Sequence, residues 1–329
     1  MNSKLVSIVM ATYNGEMYLR QQLDSILDQT YQHFELIVVD DASTDETLSI
    51  LNEYSISDGR IHIFPAENNL GIVKNFERGL MLASGEYIAL SDQDDVFRPD
   101  KISLMVKALE AHPKRDLVIS DLSLIDADGN QIALSMWRYA KLEPKQGKPF
   151  RRLLYGNFAT GCAMMFRRRL LEHAIPFPAD CLVHDWWLAV VASSSKGGGL
   201  CLINEPLTAY RQHLSNVIGA KATDNINKII AARIKVPSRG LSVFENRMNL
   251  YKKLHLDRLA GYLQSTIWSA KERMIIEQNR VLILDYTNDI HRNLFCRISK
   301  LPQRLHHALI TGGLASCLPV LMHTISPCK

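Results

Sequence analysis

The chain lacks any pairing of cysteines. Its six, Cys162, Cys181, Cys201, Cys296, Cys317 and Cys328, stand singly, with no CxxC pair and no Cys/His spacing suited to zinc. That argues against a disulfide scaffold or a zinc module and for reduced thiols in a reducing compartment. Charge of one sign is also scarce. A formal net charge of +4 over 329 residues is too small to point to nucleic acid as a partner. Long apolar runs are missing as well. The nearest candidate, Leu314 to Leu321, is broken by Ser316 and Pro319, so no segment is long enough to span a bilayer. At the front, Met1-Asn2-Ser3-Lys4 leads straight into Leu5 to Met10, which is too short for the apolar part of an export signal and lacks a small-residue cleavage site. A cytoplasmic location is expected, with any membrane contact peripheral.

What is present suits a globular protein: 47% hydrophobic and 22% charged residues, enough for one large α/β domain or a domain with an appendage. The first hundred residues alternate strand and helix signals. Val6 to Ala11 is a short β-rich run ending at the turn cluster Thr12-Tyr13-Asn14-Gly15. Leu19, Leu23, Ile26 and Leu27 follow at helical spacing, with Arg20, Gln21, Gln22 and Asp24 on the opposite face. Phe34 to Val39 is a second strand, stopping at Asp40-Asp41. Ser43 and Glu46 fit a capping box for the next helix. Ile61 to Phe64, Val73 to Ala83 and Tyr87 to Leu90 continue as strand, helix, strand. Strict alternation argues for parallel βαβ units. In such sheets ligands bind beyond the carboxyl ends of the strands, where Thr12 to Asn14, Asp40-Asp41 and Asp92 to Asp95 all fall.

The run Asp92-Gln93-Asp94-Asp95 packs three carboxylates into four positions. Each like-charge pair costs about 1 kcal/mol in water at 4 Å and about 4 kcal/mol at an effective dielectric near 20. A solvated acidic turn tolerates this. Beside a pocket, a hard divalent cation such as Mg²⁺ or Mn²⁺ relieves it and leaves coordination sites for phosphate oxygens. Both readings stay open on the chemistry alone.

Three segments on successive strand ends, Val6-Ser7-Ile8-Val9-Met10-Ala11-Thr12-Tyr13-Asn14, Val38-Val39-Asp40-Asp41-Ala42-Ser43-Thr44-Asp45 and Leu90-Ser91-Asp92-Gln93-Asp94-Asp95, closely resemble the family 2 inverting glycosyltransferases of the GT-A fold, over about residues 4 to 215. The resemblance implies a Rossmann-like, mostly parallel sheet flanked by helices, and a nucleotide-sugar donor. It implies that Asp41 bonds the base, with Asp40 just before it and Thr12 and Asn14 in the same pocket. Gly71 and Lys74 fall where further nucleotide contacts lie. The acidic run matches the family's DxD motif, with Asp94 as metal contact. Asp92 and Asp95 are the alternatives, nearer the ribose or donor sugar, and Asp95 is a further metal candidate.

Inversion needs a base for the acceptor hydroxyl. His184-Asp185-Trp186-Trp187 sets an acid beside rings whose faces suit sugar C–H groups. A helix start with Asp185 as cap and the tryptophans as core explains the same residues. The resemblance aligns Asp185 with the catalytic base, which puts His184, Trp186 and Trp187 on the acceptor side. Gly156 to Phe166 reads as a loop feeding a buried strand, with Cys162 a small core residue. Tyr210-Arg211-Gln212-His213-Leu214-Ser215-Asn216 resembles a closing segment of bacterial members, with His213 completing a metal shell and Arg211 contacting diphosphate. The QxxRW motif of processive synthases is missing, which favours transfer of single sugars.

Beyond Ala220, Lys228 to Lys235 and Leu250 to Leu263 mix apolar and basic residues at helical spacing. No acidic residue follows Asp289, while Arg292, Arg297, Lys300, Arg304 and Lys329 alternate with leucines. A peripheral membrane helix pair and a packing or oligomer appendage are both compatible. The expected organisation is a GT-A domain over 1–220, with a nucleotide half over 1–100 and an acceptor half over 101–220, followed by a helical region over 221–329. The expected reaction is transfer of one sugar from a UDP- or dTDP-sugar to a growing, lipid-linked glycan at the inner face of a bacterial cytoplasmic membrane. Ser91-Asp92-Gln93-Asp94-Asp95-Val96-Phe97 resembles the rhamnosyltransferase branch, which uses dTDP-rhamnose; a galactosyl- or glucosyltransferase fits the same pattern. A nucleotidyltransferase is disfavoured because Thr12-Tyr13-Asn14-Gly15 is no Gly-rich basic phosphate loop. A non-catalytic glycan- or nucleotide-binding module is the remaining rival.

Overall fold

A computed structural model describes residues 3–155, 157–178, 181, 183–194, 196–213 and 269–278. The chain divides into two compact units, Met1–Ala222 with Gln264–Arg273, and Thr223–Leu263 with Met274–Lys329. The sheet and the helices that flank it belong to the first unit. The basic helical stretches expected at 228–235, 250–263 and 292–329, and Leu214-Ser215-Asn216, lie outside the described residues.

In chain order the elements are β1 (Val6–Thr12), α1 (Glu16–Leu27), β2 (Phe34–Asp40), α2 (Thr47–Ser57), β3 (Ile61–Pro65), α3 (Ile72–Leu82), β4 (Tyr87–Ser91), β5 (Val96–Phe97), α4 (Lys101–Ala111), β6 (Leu117–Ile125), β7 (Gln131–Ala133), α5 (Met136–Tyr139), α6 (Phe150–Tyr155), β8 (Met164–Arg167), α7 (Leu171–Ala174), α8 (His184–Ser193) and β9 (Leu200–Arg211). One sheet runs β3-β2-β1-β4-β8-β6-β9-β5, with β7 paired to β6. The β3-β2-β1-β4 half is wholly parallel, as the alternation of strands and helices requires. Such strands are covered on both faces, which is why they read as continuous apolar runs. The other half is mixed: β8 is antiparallel to both β4 and β6, β9 runs parallel to β6, and β5 is antiparallel to β9. Val6, Ile8, Met10, Leu36, Val38 and Tyr87 form the core with Leu19, Leu23 and Ile26 of α1 and Ile102, Met105 and Leu109 of α4.

Two local expectations are corrected. Gln22, assigned by spacing to the polar outer face of α1, is fully buried. Its amide donates to the Ser91 hydroxyl at 2.8 Å, and Ser25 and Gln29 continue the inward polar row. The capping box of Ser43 and Glu46 does not form. Ser43 spends both its amide and its hydroxyl on the Asp40 carboxylate, so α2 starts at Thr47, whose amide donates to Asp45 Oδ1 at 3.0 Å.

Candidate active site

The loops after β1, β2 and β4 meet at one edge of the sheet. Asp40 is buried between them, accepting from the Thr12 hydroxyl at 2.8 Å and from Ser43. Asp41 turns the other way, and its two oxygens accept the amides of Leu70 and Gly71 at 2.7 and 2.9 Å. Each carboxylate oxygen keeps a second lone pair. Asn14, at φ 47°, holds the Thr44 amide through its Oδ1. Thr12, Asn14, Asp40, Asp41 and Gly71 are thus brought together, with Thr12 and Asp40 interior and tying the loops to each other. Lys74 pairs with Glu77 at 2.6 Å.

The acidic run fills the turn between β4 and β5. Asp92, Asp95 and the Cys162 thiol present ligand atoms within 4.8 Å of one another. Asp95 is fully buried; one oxygen accepts the Arg211 amide at 3.1 Å, and Oδ2 has no N–H or O–H donor among the described residues. Burial, then the charge of Asp94, raises Asp95 to about 7. Asp92 keeps part of its surface open yet lies deep among protein atoms. Burial first, then Asp95, Asp94 and Asp185, push its carboxyl well above the usual range. Asp94 Oδ2 sits 2.7 Å from His213 Nε2. Lys101, the first residue of α4, is buried 3.1 Å over the Phe97 ring, donating to the Cys162 carbonyl at 2.5 Å and to Thr208 Oγ1 at 2.9 Å. Burial lowers it to about 7, so it only partly offsets the carboxylates. A cluster of oxygen donors that repel one another, one of them a buried orphan, fits a hard divalent cation. Among the described residues Asp92 and Asp95, with the Cys162 thiol, are the group whose ligand atoms converge, and Asp94 and His213, paired with each other, are the other candidates to hold it.

The other wall comes from the second half of the chain. Asp185 lies in the first turn of α8 and accepts from Asn157 Nδ2 at 3.1 Å and from the Gly161 amide at 2.9 Å. Glycine at 161 makes room for the neighbouring imidazole: a Cβ there would stand 3.1 Å from His184 Nε2, but at an ordinary 3.8 Å from Asp185 Oδ2. Burial raises the Asp185 carboxyl to about 7, which suits a base working near neutrality. The Gly161 that binds it precedes Cys162, whose thiol lies within 4.8 Å of ligand atoms of Asp92 and Asp95, so the two walls adjoin.

Not all the acceptor-side expectations fit this geometry. His184 is buried, stacked on Phe76 with centroids 3.9 Å apart, and burial drives it down to about 3, so its ring is neutral. Trp187 is core, its indole N–H on the Ala174 carbonyl. The cause is that α8 is buried all round, with Trp186 alone half-buried and its N–H on the Leu153 carbonyl at 2.6 Å. Arg211, expected at diphosphate, is buried instead. Its guanidinium donates to the carbonyls of Asp94, Asp126 and Ala127 and to Gln21 Oε1, and stacks 4.6 Å from the Tyr18 centroid. It fastens the acidic loop. Residues that spacing did not flag line the back of the site: Gln22 holds Ser91, Gln29 holds the Arg98 carbonyl, and Lys101 and Thr208 hold the Cys162 carbonyl. Their signal was weak, being polar residues on otherwise apolar faces. Cys162 is buried with its thiol pushed well above the ordinary value, a core residue as expected.

A parallel half-sheet with polar loops at its strand ends, joined to a mixed half that carries a buried carboxylate, is the architecture of a GT-A glycosyltransferase. Residues 7–174 match the profile of glycosyl transferase family 2, and the chain belongs to that family. It is 29% identical over 282 residues to an uncharacterized glycosyltransferase of Haemophilus influenzae, spanning 81% of this chain and 85% of that one. It is 38% identical over 130 residues to the putative teichuronic acid biosynthesis glycosyltransferase TuaG of Bacillus subtilis, 39% of this chain and 50% of that one. In fold it resembles S. aureus TarS 1-349 in complex with UDP-GlcNAc, with a TM-score of 0.55 and 18% identity over 82% of this chain and 70% of that chain. It also resembles the mannosyltransferase PcManGT of Pyrobaculum calidifontis in complex with GDP-Man and Mn²⁺, with a TM-score of 0.56 and 19% identity over 95% and 80%.

Proposed function

We propose that this glycosyltransferase performs inverting, metal-dependent transfer of a single sugar from a UDP- or dTDP-sugar, with dTDP-rhamnose as the favoured donor, to a growing lipid-linked bacterial surface glycan. The observation that carries the reading is the buried Asp185 carboxylate, poised near neutral, adjoining the Asp92–Asp95 cluster. Asp185 takes the acceptor hydroxyl's proton as that oxygen attacks the anomeric carbon from the side opposite the leaving nucleotide. Asn157 and the Gly161 amide orient the carboxylate for this. Asp41 and Asn14 hold the nucleoside on loops that Thr12 and Asp40 tie together, and Asp94 with Asp95 and His213 holds Mg²⁺ or Mn²⁺. Such an ion, when bound, neutralises charge on the departing diphosphate.

The rhamnose preference rests on the run Ser91 to Phe97. The surface-glycan acceptor rests on the B. subtilis relative, whose name ties it to teichuronic acid biosynthesis. Among the described residues no helix is long and apolar enough to cross a membrane, and we assign recruitment to a membrane face to the basic stretches after residue 220. A donor screen tests the whole. Free nucleotide released from UDP-, dTDP- and GDP-sugars, each with Mg²⁺ or Mn²⁺, is expected to be highest with dTDP-rhamnose and to vanish in EDTA. Turnover that persists undiminished in EDTA would end the metal assignment, and a preferred UDP- or GDP-sugar would end the rhamnose one.

A further inference from the structure

Gln93 is the one member of the acidic run without a charge, and its side chain points away from the carboxylates. Its amide lies along the backbone of the β1–α1 loop. Oε1 accepts the Tyr13 amide at 2.8 Å and Nε2 donates to the Tyr13 carbonyl at 3.0 Å. A primary amide carries both the acceptor and the donor that a backbone N–H and C=O require. The amide also covers Gly15, where a Cβ would stand 2.2 Å from Gln93 Oε1 and 2.4 Å from its Cδ. A Cβ there would have to push the Gln93 amide aside, off the Tyr13 backbone.

The loop so gripped is joined to the next one. The Asn14 amide donates to Ser43 Oγ at 2.9 Å, Asn14 Oδ1 accepts the Thr44 amide at 2.8 Å, and the Gly15 amide donates to Thr47 Oγ1 at 2.8 Å. Ser43 in turn holds Asp40, which holds Thr12. A path of hydrogen bonds joined by the main chain at Tyr13-Asn14 therefore runs from the acidic loop through Gln93 to the residues assigned to the nucleoside. A cation that orders Asp94 and Asp95 pulls on the same loop that Gln93 anchors.

We infer that Gln93, seated on Gly15, is a positioning residue that couples nucleotide binding to divalent-cation binding. The inference rests on the proposed donor site. Because binding linkage is reciprocal, the factor by which Mn²⁺ tightens the nucleotide equals the factor by which the nucleotide tightens Mn²⁺. Losing two hydrogen bonds from the latch is expected to cut that factor about tenfold.

The experiment is calorimetric titration of the full chain with UDP, dTDP and GDP, each with and without Mn²⁺, using wild type, Gln93→Ala, Gly15→Ala and the double variant. Thermal melts of all four in EDTA run alongside. Both single variants are expected to keep metal-free nucleotide affinity within about threefold while losing the Mn²⁺ enhancement. The double variant is expected to be no worse than either single one, because shortening Gln93 removes the clash made by Gly15→Ala. In the melts, Gln93→Ala should restore part of the Tm lost in Gly15→Ala. An unchanged Mn²⁺ enhancement in Gln93→Ala, or strictly additive losses in the double variant, would overturn the latch and leave the donor site standing. A wild type that binds none of the three nucleotides under either condition would overturn the donor site, and the latch with it.

Discussion

Replacing Asp185 by Asn separates catalysis from stability in opposite directions. The side chain is nearly isosteric, and its Oδ1 can still accept the Gly161 amide, so the fold should persist. The wild-type carboxyl titrates at about 7 in the folded chain because it is buried, against about 3.9 in an unfolded one. For a carboxyl raised on folding, the native state binds more protons between these values. Stability is then greatest below about pH 4, falls as pH rises to about 7, and is flat above. Three units at about 1.4 kcal/mol each make the full penalty about 4 kcal/mol. Between pH 5 and pH 8 alone the linkage predicts about 2–3 kcal/mol. Asn does not titrate, so its advantage over Asp should grow by that amount across the interval, about 5–10 °C in Tm for a unit of this size. Comparing two pH values cancels whatever the altered hydrogen bonds contribute equally at both. The assay is a set of melts in EDTA at pH 5 and pH 8, with initial rates of nucleotide release alongside. Transfer should fall about 10²- to 10⁴-fold in the variant while donor binding survives. The wild-type kcat/KM should climb with pH to a plateau above about 7. The same Tm difference at both pH values would refute the buried, uncompensated carboxylate, and retained turnover would refute the base.

Asp94→Ala should raise the apparent dissociation constant for Mn²⁺ in the nucleotide complex at least about tenfold, read by calorimetry; unchanged metal dependence would remove Asp94 as a ligand. Arg211→Lys cannot serve the carbonyls of Asp94, Asp126 and Ala127 and Gln21 at once. It should cost about 2–4 kcal/mol in denaturant unfolding and raise the Mn²⁺ needed for half-maximal rate. Loss of rate at saturating Mn²⁺ with full stability would instead restore the diphosphate role. A chain ending near Ala220 should float less with anionic liposomes than the full chain, and equal recovery of both would dismiss membrane recruitment.

The order of elements through β4 and the three polar strand ends were legible because local signals agreed with the fold. Val6–Thr12, Phe34–Asp40 and Tyr87–Ser91 are buried on both faces, so their apolar runs needed no long-range knowledge. The strands of the second half were less visible. β5 is two residues long and β7 three, and they exist because β9 and β6 supply their hydrogen bonds. Side-chain roles divided in the same way. Residue type marked Asp94 and Asp185, since a carboxylate run and an acid beside aromatic rings are chemically conspicuous. Spacing could not say that Gln22 of α1 faces inward or that α8 is buried all round.

The sequence by itself therefore determined the family, the parallel half-sheet and the segments that line its edge. Tertiary structure decided what each polar residue in those segments does, because hydrogen-bond partners come from distant parts of the chain. Arg211 is a fastener because Asp94 and Gln21 surround it, 117 and 190 positions away. His184 and Trp187 are core because α8 turns them inward against α3 and α7. Gln93 reaches back 80 positions to Tyr13. Burial, which pushes Asp95 and Asp185 to about 7, is a property of the packed molecule and has no counterpart in the order of residues.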